Sequence, residues 1–328
     1  MTKLLSILFC LMLAGAGYAT DTYVGTASAL TSAVAGASSG DRVLCSNGTY
    51  NVNLIVPAGV TVRSISGLPG DVILDGGAAG RVITNSATSW LIGLTIQNGY
   101  FIKAEGETNE PGAGVCGGSV SNCVIQNNVF DGVGSQYGAG AAYATIYNCT
   151  VKNNSCVAGG AIGLYYCTAY NCLITGNTGV ELATGAYMST LRNCTIVGNT
   201  GVGGNGGTMN CDLIGCISLN DEGAAIDINP SNSYSCGVGY TGTGSITNNP
   251  LFISASDFRL ANNSPCLNTG TNGAWTTGTD LDGNPRIFNG TVDMGCYERQ
   301  YGLLLIGGTG TGAMGGTGTG NVRGRVMP

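Results

Sequence analysis

The sequence predicts an all-β fold, a right-handed parallel β-helix (a solenoid with coils of about 22 residues) closed by an N-terminal helical cap. Three observations carry that prediction. Asn-Cys pairs recur at Asn122-Cys123, Asn148-Cys149, Asn171-Cys172 and Asn193-Cys194, with a degenerate Gly215-Cys216, so the cysteines stand 26, 23, 22 and 22 residues apart. Five residues after each Cys comes Asn128, Asn154, Asn177, Asn199 and finally Asp221. Short Gly/Ala runs at 112–115, 159–162, 184–187 and 223–226 mark a second strand in each coil. Strand-type alternation at this short period, with no 3.6-residue pattern, excludes helical repeats.

The elements follow in chain order. Residues 1–19 join Lys3, the apolar run 4–13 and the small-residue end Gly17-Tyr18-Ala19, the pattern of a secretory signal. Residues 20–56 form the cap and first coil: a strand, then an Ala-rich helix around 28–37 that covers the open end of the core. Residues 57–250 are coils, and counting from Asp41 the spacing predicts nine or ten of them, a rod of about 45 Å at the ~4.8 Å strand separation. Within a coil, Cys and the Val or Ile two places later share the inward face. Asn suits the turn column because it tolerates left-handed backbone and its amide can bond the amide above. Residues 251–298 form a C-terminal cap, and 299–328 a Gly/Thr-rich tail.

Composition removes several functions. Only 9% of the chain is charged, against 57 glycines in 328 residues, yet mean hydropathy is +0.21, which is the wrong side for disorder. A net charge of -6 and a pI near 4.5 leave no basic patch for nucleic acid. No segment after the leader approaches the length of a transmembrane helix. Fourteen cysteines less Cys10 in the leader leave an odd number, so at least one thiol is unpaired within the chain.

The C-terminal stretch "NPLFISASDFRLANNSPCLNTG", followed by "DLDGNPRIFNGTVDMGCYE", resembles the end of the choice-of-anchor Q proteins, exported β-helix proteins of the pectate-lyase-like superfamily. The Gly-Gly-Ala-Ile and Asn-Cys repeats are similar to those of chlamydial polymorphic outer membrane proteins, which act in adhesion. Together the resemblance spans about residues 20–298. Two positions depart from the family pattern, with Asn268 in place of an acid and Cys296 in place of an alanine. The resemblance with that departure implies a Cys266–Cys296 disulfide.

Catalytic and metal candidates are few. A hydrolase needs two placed carboxylates, and Asp212, Asp221, Glu222 and Asp227 fall in adjacent coils, apart from the more scattered Asp131 and Glu181. A lyase of this superfamily needs Ca²⁺ and a basic side chain. Between Gly112 and Pro250 the only basic residues are Lys152 and Arg192, at different register positions. Asp280, Asp282 and Asn284 suggest a calcium loop, but Gly283 and Pro285 break its order, and a turn in which Arg286 pairs an acid such as Asp293 is the first reading. The Cys123, Cys149, Cys172, Cys194, Cys216 column lacks the spacing and histidines of a metal site and reads as buried thiols; strand spacing leaves rung-to-rung disulfides open. Tyr143, Tyr147, Tyr165, Tyr166, Tyr170 and Tyr187 could stack on sugars or on one another.

The expected function is that of an exported cell-surface or extracellular structural or adhesive module, binding a polysaccharide or a host or cell-surface component, with Ca²⁺ the one cofactor to test. Two alternatives stand beside it: a lyase or glycoside hydrolase acting on uronate polymers, and a self-associating filament subunit.

Overall fold

The computed structural model describes residues 19–103, 112–132, 138–157, 163–180, 184–201, 206–219 and 231–300. Of the sequence expectations, residues 1–18 of the leader, 301–328 of the tail, the Gly/Ala runs 159–162 and 223–226, Glu181, Asp221, Glu222 and Asp227 lie outside these residues.

The chain winds as a right-handed parallel β-helix with every ladder parallel. Each of the five coils from Trp90 to Met209 contributes a strand to a first sheet of ten strands and a second of nine, then a short strand to a five-stranded sheet and one to a seven-stranded sheet; the two coils before Trp90 lack the strand of the five-stranded sheet. Equivalent first-sheet positions fall at Arg42, Thr61, Trp90, Ser119, Thr145, Thr168, Thr190, Asp212 and Ser231. That gives eight turns, fewer than the nine or ten expected. The 22-residue period holds only from Thr168 to Asp212, whereas the two turns between Thr61 and Ser119 take 29 residues each.

The interior is a set of apolar columns. Val43, Val62, Leu91, Val120, Ile146, Ala169, Leu191 and Leu213 line one wall, and Leu74, Ile96, Ile125, Val151, Ile174 and Ile196 face them from the second sheet, all buried. The expected cap is the helix Ala27–Gly36. Thr26 Oγ1 caps it by accepting the Ala29 N–H, and Leu30 and Val34, one turn apart, plug the first coil.

Two columns make the turns. Asn128, Asn154, Asn177 and Asn199 are fully or nearly buried, and each amide bonds the next: Asn128 Nδ2 donates to Asn154 Oδ1 at 2.9 Å, Asn154 to Asn177 at 2.9 Å and Asn177 to Asn199 at 2.8 Å. The same oxygens accept the backbone N–H of the preceding coil. The left-handed residues, however, are the neighbours Asn127, Asn153, Gly176 and Gly198, and at the other corner Asn122, Asn148, Asn171 and Asn193. Asn therefore recurs for two separate reasons, amide pairing at one position and positive φ at the position beside it.

The cysteines are a hydrogen-bonded ladder of free thiols. Cys149 Sγ accepts the Cys123 N–H at 3.3 Å and donates to the Tyr147 carbonyl at 3.1 Å, and Cys216 Sγ accepts from Cys194 at 3.5 Å. Burial pushes the Cys149, Cys194 and Cys216 thiols well above their usual value and Cys167 up to about 12, so they stay protonated and poor in metal affinity. A second column that the spacing did not reveal runs five residues ahead, through Ala144, Cys167, Ser189 and Cys211.

The C-terminal segment differs most from expectation. It folds back along the side of the coils, where Leu260, Cys266 and Met294 pack on Ile217 and Cys236, which hold the outward register of the second sheet. There Phe252, Phe258, Leu281, Cys296 and Tyr297 pack on the outward residues Leu173, Val197 and Leu219. Cys296 N–H donates to Thr195 Oγ1 at 3.1 Å. This layout separates Cys266 from Cys296: each is a free buried thiol in its own apolar cluster, so the disulfide implied by the resemblance is absent. Among the described residues no helix is long and apolar enough to cross a membrane.

Candidate functional site

The fold-back creates a cleft. Residues 274–279 run beside the outward face of the first sheet, with Asn148 Nδ2 reaching the Thr279 carbonyl at 3.4 Å, and between them lies a cleft of about 580 Å³. That volume falls in the range of small-ligand sites. Its sheet wall is aromatic. Tyr147 and Tyr170 are register partners on adjacent coils and stack at 5.1 Å with 7° between planes. Trp90 stacks on the other side of Tyr147 at 5.9 Å and 19°, and Ser121 occupies the intervening coil. The opposite wall is Ala274, Trp275, Thr277, Gly278 and Thr279, where Trp275 stands in a 3-10 turn under the Arg192 guanidinium, 5.6 Å away.

The chain has two tryptophans and both line this cleft. The Tyr147/Tyr170 pair was legible in the sequence as a ladder; the tryptophans were not, because nothing in the local pattern joins Trp90 to Trp275. The other tyrosines form a separate stack, with Tyr143 on Tyr166 at 5.7 Å and Tyr165 on Tyr187 at 5.9 Å, beside Met188 and Met209.

The ionic candidates do not come together. Asp212 Oδ2 is 2.6 Å from Arg192 Nη2 and is occupied by that pair. Asp131 accepts the Tyr100 hydroxyl. The calcium reading of Asp280, Asp282 and Asn284 fails on donor count. Asp280 accepts the backbone N–H groups of Asp282, Asn284 and Glu298 and the Asn284 amide, while Asp282 forms a two-pronged pair with Arg259 at 2.6 and 2.7 Å. Their oxygens are spent on protein donors, the arrangement of a turn. Among the described residues no group of three or more His, Cys, Asp or Glu could hold a metal.

Arg286 is fully buried, but its Nη2 donates to the Asp293 carbonyl at 3.0 Å, and the Asp293 carboxylate instead accepts from Asn268 and Arg299 backbone N–H groups at 2.7 Å each. Glu298 accepts from the Phe288 and Asp293 N–H groups, and burial pushes its carboxyl from the ordinary 4.5 up to about 7. A carboxyl raised on folding takes up a proton as the chain folds, so its stabilising share is whole below about pH 4.5 and fades as pH rises through 7. Burial raises Asp293 as well, with the same sign. Thermal melts of wild type and Glu298→Gln from pH 4.5 to 8 check this: the wild-type midpoint should fall relative to the variant across that window, and parallel curves would contradict the assignment.

No family model matches the chain and no curated protein matches it. Among solved structures it is similar to the pectate lyase Pel9A, at 15% identity and TM-score 0.46 over 87% of this chain and 98% of that one. It is also similar to an alginate lyase from Paenibacillus sp. (15%, TM-score 0.38, 68% and 89%) and to the pectin methylesterase PemA from Erwinia chrysanthemi (15%, TM-score 0.28, 67% and 70%). These likenesses concern the course of the chain, which the strand register here establishes by itself.

Proposed function

We propose that the chain is an exported β-helix scaffold that binds glycan in the cleft between the first sheet and residues 274–279, without cleaving it. The observation that carries this reading is the placement of both tryptophans and the Tyr147/Tyr170 stack around a cleft that has no carboxylate, amine or guanidinium among the described residues of its lining. Aromatic faces and edges suit the C–H surfaces of sugar rings, and the nearby Asn, Ser and Thr groups suit their hydroxyls. Without a carboxylate or other general acid or base on the cleft wall, acid-base cleavage has no agent there. The signal-like residues 1–19 and the C-terminal motif shared with choice-of-anchor Q proteins support export and a surface or extracellular location.

Co-sedimentation with insoluble polysaccharides tests the reading. Wild type should pellet with at least one of them, and Trp90→Ala combined with Tyr170→Ala should lower the affinity tenfold or more, since two aromatic contacts are each worth about 0.5–1.5 kcal/mol beyond their area. Unsaturated or reducing ends released by wild type would instead favour the lyase or hydrolase alternative.

A further inference from the structure

We infer that the glycan taken by the cleft is uncharged, and that Asn171 and Trp275 hold its hydroxyl groups; this rests on the cleft being a glycan site. The first argument is charge. A uronate carboxylate brought against these aromatic walls would need a cation, and none lines the cleft. Arg192 is the nearest guanidinium on the sheet, and it is committed: Nη2 to Asp212 Oδ2 at 2.6 Å, and Nη1 to the carbonyls of Leu191 and Asp212 at 3.0 and 2.9 Å. Its side chain is 13% exposed. Arg63 shares the outward column but stands two coils before Ser121, outside the cleft. A net charge of -6 adds long-range repulsion of a polyuronate.

The second argument is hydrogen bonding. Asn171 is 5% exposed, and its Oδ1 has no hydrogen-bond partner in the protein while its Nδ2 is held by Asn148 Oδ1 at 3.2 Å. Across the cleft the buried Trp275 Nε1 also has no partner. An orphaned acceptor on one wall and an orphaned donor on the other are both unfavourable. A hydroxyl group donates and accepts, so the hydroxyls of a sugar chain can satisfy both. Both atoms are buried in the seam, so the 274–279 segment must part from the sheet to admit the ligand. What holds that segment on the sheet side is weak, the 3.4 Å Asn148 contact and the Arg192–Trp275 contact.

Calorimetric titration of the exported chain in chelator tests this, with soluble xylan, glucomannan and mixed-linkage glucan set against polygalacturonate and alginate. A neutral polymer should bind at least tenfold more tightly than either uronate. Trp275→Phe, which keeps the ring and removes the N–H, and Asn171→Gly, which keeps the left-handed backbone (φ 52°) and removes the amide, should each weaken that binding about tenfold at an unchanged melting temperature. Uronate binding as tight as neutral binding would overturn the charge class and leave the glycan site standing. Neutral binding unaffected by both variants would overturn the role of Asn171 and Trp275. No binding to any polymer would remove the site reading itself.

Discussion

Asn154→Ala should destabilise the coil stack by about 3 kcal/mol, a large effect for one polar residue. Its Oδ1 accepts from Asn128 N at 3.0 Å and Asn128 Nδ2 at 2.9 Å, and its Nδ2 donates to the Ile125 carbonyl at 3.1 Å and Asn177 Oδ1 at 2.9 Å. Truncation leaves the buried Asn128 N–H without its acceptor and takes a bond from the Ile125 carbonyl, while Asn177 Oδ1 keeps the Asn154 backbone N–H and Asn128 Nδ2 keeps the Ile96 carbonyl; each unpaired buried group costs roughly 1–3 kcal/mol. The neighbouring Asn153, exposed and at φ 53°, gives the contrast: Asn153→Ala should cost only the ~1–2 kcal/mol of a left-handed non-glycine residue. Urea unfolding of the two variants checks the order. Equal midpoints would mean that the amide ladder contributes no more than its turn geometry.

Gly140→Ala should cost about 3 kcal/mol or more, for a reason unrelated to backbone freedom. An added Cβ would sit 2.5 Å from the Gly163 carbonyl oxygen, 2.9 Å from Val151 Cγ1 and 3.0 Å from Asn154 Nδ2. The carbonyl and the buried amide cannot both retreat without breaking a ladder, so the coil must shift. Gly114 and Gly185 make the same approach to the next coil's backbone, which explains the glycine just before the strands Val115–Cys116, Ala141–Ala142 and Ala186–Tyr187. Since Asn154→Ala removes one of the three obstacles, the double variant should lose less than the sum of the singles. Full additivity in the same unfolding experiment would contradict that contact.

The coil architecture was legible because each of its requirements falls on one residue type at one register position. An inward thiol, a buried amide and a close-packed glycine repeat at the coil period, and Cys149, Asn154 and Gly185 mark it on their own. The cleft was not legible, since it depends on where the C-terminal segment lies. One signal was present in the outward positions of the second sheet. Gln97, Gln126, Lys152 and Thr175 face out along one column, and then Val197 and Leu219 take the same place. A polar column turning apolar marks where a covering segment lands. The calcium and disulfide expectations came from residues close in sequence or coupled by resemblance, and failed because Asp280 serves a turn and the two thiols sit in separate apolar clusters, Cys296 against Leu173 and Val197 and Cys266 against Ile217 and Cys236.

The measurement closest to the central claim is the tryptophan emission of the chain from Thr20 onward, titrated with a polysaccharide that co-sediments with it. Both tryptophans of the chain line the cleft, so emission reports on that cleft and on little else. Glycan binding there should shift and saturate the emission along the same isotherm as the co-sedimentation. Saturating binding with unchanged emission would place the glycan elsewhere on the solenoid and contradict the account.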